Sequence, residues 1–274
     1  MKTILLATDF SPASNNAAEY AFELAKYFDS ELILLNAYPL PPPNYDTGIA
    51  LDSVTDIHKA SEDSLATLRN KLMENNINGV RIECLSVMGS TMDVIEEICK
   101  NKEVDLAVMG IVSNAGKIKE HLIGSTSLKA ARHLSIPMFI IPDCTKYKRI
   151  RKISFACGLK SAEQASVIFT AKYFAKVFDA ELEIINIEKP FEERSEEKAM
   201  AIEFVEEKLE NVRHKTFILA DEDATLGLEE HYEQYPADVI VLNPKKHNII
   251  QTLLGTSVTR NLVFHSKLPL LIIH

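Results

Sequence analysis

The chain repeats itself, and this internal repeat constrains the fold more than any other feature of the sequence. Residues 25–36 and 175–186 are identical at seven of twelve positions, at an offset of 150 residues. Further along, residues 105–110 match 238–243 at an offset of 133, and Pro137 matches Pro269 at an offset of 132. The second copy has therefore lost about 17 residues. The loss falls where the first copy has an irregular, proline-rich loop.

The repeat predicts two tandem domains of one fold rather than a single large domain. We expect the first domain to span residues 1–143 and the second to span residues 150–274. The stretch 142–152 between them is rich in lysine and arginine. We interpret this stretch as a solvated connector, with an anion-binding patch as the alternative.

Composition argues against several classes of protein. The 274 residues carry a net charge of −9, with a pI near 5.5, whereas proteins that bind duplex nucleic acid depend on clustered Lys and Arg. No apolar run approaches the roughly 18 to 20 residues of a membrane helix. The four cysteines show no paired spacing that would suggest a zinc site or a disulfide framework. We therefore expect a cytoplasmic protein that has neither nucleic acid nor a membrane as a partner.

Short apolar runs alternate with stretches of helical period, as in β-α-β units. In the first copy the predicted strands are residues 3–8, 31–37, 80–87, 106–110 and 138–141. They are apolar on both sides, which is typical of central parallel strands covered by helices on both faces. Each copy is thus predicted to be an α/β, doubly wound, Rossmann-like domain, with an open five-stranded parallel sheet and four helices.

Ligands of open α/β sheets bind beyond the carboxyl ends of the strands, so the residues that follow each apolar run are the candidate site. Asp9 follows the first strand. A loop after the fourth strand contains Gly110, Gly116 and Gly124, three of the nine glycines in the chain. Ser125, Thr126 and Ser127 then open a helix, whose free N–H groups and dipole favour an anion. A plain helix cap with tight turns remains the alternative interpretation.

Taken in their order along the chain, these features resemble the universal stress protein family. The resemblance rests on Asp9, Asn36-Ala37, the segment 105–110, Gly124-Ser125 and the apolar run after Pro137. It covers nearly the whole chain as two tandem copies. It implies the strand order 3-2-1-4-5 in each copy and binding of an adenine nucleotide, ATP with Mg²⁺, by the first copy.

The resemblance also implies roles for individual residues. Asp9 would contact the adenosine, and Ala37 would offer backbone groups to the adenine. Gly110 would begin the loop, with Gly116 as a flexible point. The phosphates would be held by Gly124, Ser125, Thr126 and Ser127. This sequence departs from the glycine pattern of the family, because Ser113 stands at the second glycine position and Gly124 comes one residue late.

The second copy departs further from the pattern. Cys157-Gly158 stands over Thr8-Asp9, and Asn243 stands over Gly110. We expect this copy to bind nucleotide weakly or not at all. It would instead act as an intramolecular counterpart to the partner subunit of single-domain relatives, with the last strands of the two copies pairing. Whether two such chains pair again stays open.

The function implied by the resemblance is stress adaptation, with ATP as a conformational ligand and with unidentified protein partners. We predict no catalytic residue, because the sequence offers no persuasive set of nucleophile, base and metal ligands. Two alternatives remain. One is an enzyme that slowly hydrolyses ATP or adenylates a substrate, and the other is a scaffold without a ligand.

Overall fold

A computed structural model describes residues 1–40, 51–74, 79–112, 125–156, 164–188, 196–220, 224–243 and 268–274. The chain divides into two compact units, Met1–Tyr147 (unit 1) and Lys148–His274 (unit 2). The division falls inside the basic stretch 142–152 of the sequence. No helix of the described residues is long and apolar enough to cross a bilayer.

Unit 1 is a five-stranded parallel sheet with helices between successive strands. Its elements, in chain order, are β1 Thr3–Ala7, α1 Pro12–Phe28, β2 Glu31–Tyr38, α2 Leu51–Met73, β3 Ile82–Met88, α3 Thr91–Asn101, β4 Leu106–Ile111, α4 Ser125–His133 and β5 Met138–Pro142. The strands lie in the order β3-β2-β1-β4-β5. The predicted fold class and strand order are confirmed. The third strand begins at Ile82, two residues later than predicted.

The sheet forms because its central strands are apolar along their whole length. Residues 4–7 of β1 and 106–109 of β4 are buried without alternation. Such strands must be covered on both faces, which the connecting helices achieve. Helix α1, for example, buries ten of its 17 residues.

Unit 2 repeats this order. Its elements are β6 Lys152–Ala156, α5 Gln164–Phe178, β7 Glu181–Glu188, α6 Glu196–Leu209, β8 His214–Ala220, α7 Ala224–Gln234, β9 Val239–Leu242 and β10 Leu270–Ile272. The strands are parallel, in the order β8-β7-β6-β9-β10. The segment between β9 and β10, residues 244–267, lies outside the described residues.

Two features of the repeat have the same structural cause in both units. Asp29 and Asp179 both end a helix in the left-handed conformation, with φ of 52° and 50°, which Asp tolerates better than most residues. Asp105 and Asp238 both anchor the start of a strand. Asp105 Oδ2 accepts the backbone N–H of Thr3 at 3.1 Å, and Asp238 Oδ2 accepts that of Lys152 at 3.0 Å. These carboxylates satisfy strand ends that would otherwise lack partners.

Candidate functional site

A cavity of about 330 Å³ lies at the carboxyl ends of β1, β2 and β4 of unit 1. This is where an open α/β sheet offers a crevice, because the chain leaves neighbouring strands toward opposite faces of the sheet. The residues that line the cavity are Ala7, Thr8, Asp9, Ser11, Ala13, Ser14, Leu35, Ala37, Thr91, Ile95, Met109, Gly110, Ile111, Val112, Thr126 and Ser127. Asp9, Ala37, Gly110, Thr126 and Ser127 are among the residues that the sequence proposed.

The turn after β1 is held by short-range hydrogen bonds. Ser11 N donates to Asp9 Oδ1 at 3.0 Å, and Phe10 N donates to Thr8 Oγ1 at 3.0 Å. Phe10 takes a positive φ of 61°, so the chain turns sharply before α1 begins. Ser11 caps that helix by accepting the N–H of Ser14 at 3.2 Å. The turn thereby holds Asp9 at the rim of the cavity.

The environment of Asp9 favours the ionised form of its carboxylate. Partial burial raises its pKa, but hydrogen bonds from Ser11 and Ser14 outweigh burial, so the pKa lies below its ordinary value of 3.8. Its side chain also remains exposed enough to reach a ligand. A carboxylate with these properties accepts hydrogen bonds, such as those from sugar hydroxyls.

Gly110 is required by the packing of β4 against α1. A Cβ at this position would lie 2.4 Å from the backbone oxygen of Ala13 and 2.8 Å from the backbone nitrogen of Ser14. The glycine therefore lets β4 and the first turn of α1 meet closely beneath the cavity.

The start of α4 supplies the second side of the cavity. Ser125 is its first residue, and Thr126 and Ser127 line the cavity. The buried Ser127 hydroxyl donates to the backbone oxygen of Gly110 at 2.9 Å. Since a hydroxyl has one proton, Ser127 holds α4 against β4 and has no proton left for a phosphate. Gly116 and Gly124, the other two glycines of the predicted loop, lie outside the described residues.

Ala37 lies near the end of β2, opposite Val87 of β3. The preceding residue, Asn36, fixes this part of the strand. Its side-chain nitrogen donates to the backbone oxygen of Thr8 at 2.7 Å, and its side-chain oxygen accepts the Ser61 hydroxyl at 2.7 Å. The ends of β1 and β2 are thus tied together beside the cavity.

Sequence reasoning missed the contribution of α3. Thr91, its first residue, and Ile95, one turn later, both line the cavity. The signal that could have found them is Gly89-Ser90-Thr91 after β3, which resembles Gly124-Ser125-Thr126 before α4. Ser14 was also missed, although it contacts both Thr8 and Ser11 through its hydroxyl.

The described residues contain no group of three His, Cys, Asp or Glu side chains that could hold a metal ion. Among the described residues that line the cavity, Asp9 carries the one carboxylate that could contact a Mg²⁺ ion. In unit 2, Cys157 and Gly158 lie outside the described residues. Asn243 directly follows β9, at the position that corresponds to Gly110.

Comparisons with known proteins agree with this architecture. The model of the universal stress protein family matches residues 1–142. A universal stress protein of Methanocaldococcus jannaschii is 25% identical over 141 residues, which are 51% of this chain and 81% of that protein.

Two solved structures resemble the whole chain. A universal stress protein from Archaeoglobus fulgidus aligns with a TM-score of 0.76 at 19% identity, over 99% of this chain and 97% of that one. A protein of unknown function from Pseudomonas aeruginosa gives 0.58 at 14% identity, over 100% and 92%. At these identities the structural likeness supports the fold of both units. Since the family model covers more than half of the sequence, the chain belongs to the universal stress protein family.

Proposed function

We propose that unit 1 binds one molecule of ATP as a conformational ligand in stress adaptation, and that unit 2 serves as its intramolecular partner domain. The observation that carries this proposal is the single cavity that brings Asp9, Ala37 and Thr126 together from three separate strand ends. Its volume of about 330 Å³ is within the range of about 300 to 1,000 Å³ that is usual for small-molecule sites.

The two sides of the cavity suit the two ends of a nucleotide. The ionised Asp9 carboxylate can accept hydrogen bonds from the ribose hydroxyls. The start of α4 offers unpaired N–H groups and the positive end of a helix dipole to the phosphates. Thr126 adds a hydroxyl that donates to no other described residue, whereas the Ser127 proton is already used by Gly110.

The cavity supports binding rather than turnover. Its polar side chains are one carboxylate and several hydroxyls. Among the described residues, no histidine, lysine or cysteine lines it that could act as a base or nucleophile. ATP in such a site acts as a signal, because the protein with ATP bound differs in conformation from the protein without it. Partner proteins would bind one of the two conformations preferentially.

The test is calorimetry on the full chain with ATP and Mg²⁺. We expect one ATP per chain. Asp9→Asn should weaken binding about tenfold, because a hydrogen bond to a charged group contributes about 1.5 to 3 kcal/mol. The matched control is Asp63→Asn, which removes an exposed carboxylate on α2 and should leave affinity unchanged.

Two results would contradict the proposal. One is the absence of binding at millimolar ATP, together with no nucleotide in a native mass spectrum of the purified protein. The other is sustained release of ADP or AMP that depends on Asp9, which would favour an enzyme. A stoichiometry of two would show that unit 2 also binds nucleotide.

A further inference from the structure

Four polar side chains of unit 1 form a continuous row of hydrogen bonds, the polar relay, from the surface of α2 to the turn beside the cavity. His58, whose side chain is 44% exposed, is the outer end. The links are His58 Nδ1 to Ser86 Oγ at 3.2 Å, Ser86 Oγ to Ser61 Oγ at 2.8 Å, Ser61 Oγ to Asn36 Oδ1 at 2.7 Å and Asn36 Nδ2 to Thr8 O at 2.7 Å. None of the four side chains is among the described residues that line the cavity. Any effect of the relay on a ligand is therefore indirect.

The inner end of the polar relay fixes the peptide unit that leads into Asp9. Asn36 Nδ2 holds the Thr8 carbonyl toward β2, and Thr8 N also donates to Leu35 O of β2 at 2.9 Å. A peptide unit is planar, so holding the Thr8 carbonyl fixes the orientation of the whole unit that joins Thr8 to Asp9. The position of the Asp9 carboxylate at the rim of the cavity therefore depends on the Asn36 amide.

The hydroxyl protons of the polar relay can point in either of two directions. The Asn36 oxygen can only accept, and in the structure Ser61 donates to it while Ser86 donates to Ser61. In the reverse direction, Ser86 donates to His58 Nδ1, and Ser61 turns its single proton toward Ser86. Asn36 Oδ1 would then lose this donor in a buried position, which is unfavourable. The reverse direction therefore weakens the hold of Asn36 on the Thr8 carbonyl.

The protonation state of His58 selects between these two directions. A neutral imidazole has one bare nitrogen, and Glu62 Oε1, 3.4 Å from Nε2, favours the proton on Nε2. Nδ1 is then an acceptor that competes with Ser61 for the single proton of Ser86. When the imidazole is charged, Nδ1 carries a proton and can no longer accept. Ser86 then donates toward Ser61, as the structure has it.

The groups around the imidazole limit the size of this effect. The Tyr38 hydroxyl of β2 lies 2.8 Å from Nδ1 and can donate to it in place of Ser86, so the neutral form populates both directions. Glu62, on the same helix, faces the other ring nitrogen. Farther along α2, β3 and α1 present the titratable groups Cys84 and Glu19, which contact α2 at residues 65 and 71. We therefore expect a modest effect.

We propose that His58 is a positioning residue for the cavity, whose protonation directs the polar relay toward Asn36 and thereby holds the turn of Asp9 in its binding geometry. This inference rests on the proposed function, since it concerns the regulation of ATP binding at the same cavity. The affinity for ATP then rises as the pH falls through the range in which histidine side chains gain their charge.

The test is calorimetry on the full chain with ATP and Mg²⁺ at pH 5.5 and 7.5. Asp9 remains ionised at both values because its pKa lies below 3.8, and protonation of the ATP phosphates is the same for every variant. The quantity compared between variants is therefore the ratio of the two affinities. Relative to His58→Gln, which cannot become charged, the unaltered protein should gain about threefold in affinity at pH 5.5, the effect of one weak hydrogen bond.

Two further variants separate the polar relay from other causes. Ser86→Ala removes the link between His58 and Ser61 but keeps the imidazole, and it should also abolish the gain at pH 5.5. His133→Gln removes an exposed histidine at the end of α4 and should keep the gain. Circular dichroism checks that each variant folds at both pH values.

A second measurement needs no nucleotide. The N–H groups of Phe10 and Ser11 donate within the turn, both at 3.0 Å. After correction for the intrinsic rates, they should be about threefold better protected from hydrogen exchange at pH 5.5 than at pH 7.5. His58→Gln should remove this difference.

The inference is overturned if His58→Gln or Ser86→Ala shows the same ratio of ATP affinities as the unaltered protein. It is also overturned if protection of the turn changes with pH equally in the unaltered protein and in His58→Gln. Failure of the proposed function looks different, because the unaltered protein would then bind no ATP at either pH. The exchange measurement alone would then decide whether His58 positions the turn.

Discussion

In unit 1, Leu5 of β1 lies opposite Ile33 of β2, and both are buried apolar residues. The paired positions of unit 2 hold Ser154 of β6 and Glu183 of β7, which are both 0% exposed. The helix before the fourth strand differs in the same way. His231 and Tyr232 of α7 stand where α3 has Ile98 and Cys99.

The polar residues of unit 2 face one another. The Lys152 ammonium lies 3.1 Å from Glu183 Oε1, and His231 Nε2 lies 3.8 Å from Glu183 Oε2. The second distance is too long for a hydrogen bond. Tyr232 and Ser154 join their hydroxyls at 3.0 Å, and burial raises the pKa of Tyr232 to about 12. Among the described residues, neither carboxylate oxygen of Glu183 receives a well-aligned hydrogen bond.

The comparison teaches that one fold can place its polar residues in two different ways. In unit 1 the paired core positions of β1 and β2 are apolar, and the cavity at the carboxyl ends of the strands is lined by a carboxylate and several hydroxyls. In unit 2 the core holds Glu183 and His231, and the sequence no longer has a carboxylate at the Asp9 position. The anchoring carboxylates Asp105 and Asp238 are alike in both units.

The largest effect that would sharpen this comparison is expected from Lys152→Met. The change leaves the Glu183 carboxylate buried beside a neutral imidazole, and breaking a buried pair in this way costs about 3 to 5 kcal/mol. Because the Lys152 side chain is 26% exposed, we expect the lower end, a loss of about 3 kcal/mol. The measurement is urea denaturation with hydrogen exchange of β6 and β7 peptides.

The control is Lys26→Met, which breaks a 2.9 Å pair with Glu23 on α1. Because the Glu23 side chain is 39% exposed and stays solvated, the change should cost less than about 1 kcal/mol. An equally small loss for Lys152→Met would show that the buried pair contributes nothing. The double change Glu183→Ile with His231→Ile gives unit 2 the residues of unit 1 and should be neutral or stabilising.

A second test exchanges the residues at one position of the repeat, Gly110 in β4 and Asn243 directly after β9. Gly110→Asn places a Cβ 2.4 Å from the backbone oxygen of Ala13. It should lower the stability of unit 1 by about 2 to 3 kcal/mol, since α1 must move. The reverse change, Asn243→Gly, should alter unit 2 by less than about 1 kcal/mol. Thermal denaturation of both variants measures the difference. Equal losses would mean that the two positions are equivalent in packing.

Much of the fold could be predicted because its causes are local or repeated. The uninterrupted apolar strands predict a parallel sheet that is covered on both faces. The similarity of residues 25–36 to 175–186 reflects an Asp in the left-handed conformation and a buried strand in both units. Asp9 and Thr126 could be placed near one another because parallel strands end at the same edge. The structure places both around the cavity.

The remaining features depend on which chain segments meet, and spacing alone does not show this. Gly110 was assigned to the start of a ligand-binding loop, but the backbone beside it belongs to α1. Thr91 was missed because its helix reaches the cavity from β3, a strand that contributes no cavity-lining residue. Glu183 looks like an exposed strand residue in the sequence, since burial of a carboxylate follows only from its partners Lys152 and His231.

The smallest expected effect is a pH dependence that unit 2 has and unit 1 lacks at the corresponding positions. Burial lowers the pKa of His231 below its ordinary 6.5, although Glu183 opposes the shift. As the pH falls through 6.5, the His231 imidazole therefore takes up a proton in the unfolded chain before it does so in the folded chain. The stabilising contribution is complete above that pH and is lost as the pH falls.

The loss on acidification is limited to about 1.4 kcal/mol per pH unit, the maximum for one proton. Lys152, Phe217 and Tyr235 also face the imidazole. His214 works in the opposite direction. Burial lowers its pKa, but hydrogen bonds to Val212 and Glu206 raise it overall, so its contribution is lost as pH rises.

The measurement is urea denaturation of the full chain at pH 5.5 and 7.5, followed by hydrogen exchange in peptides from unit 2. The chain carries His214→Gln, which removes the opposing contribution. We expect lower stability at pH 5.5, and we expect the difference to shrink when Glu183→Ile and His231→Ile are added. A pH difference that persists in this triple variant would assign the effect to other groups. Unit 1 peptides, with Ile98 in place of the histidine, provide the internal reference in the same samples.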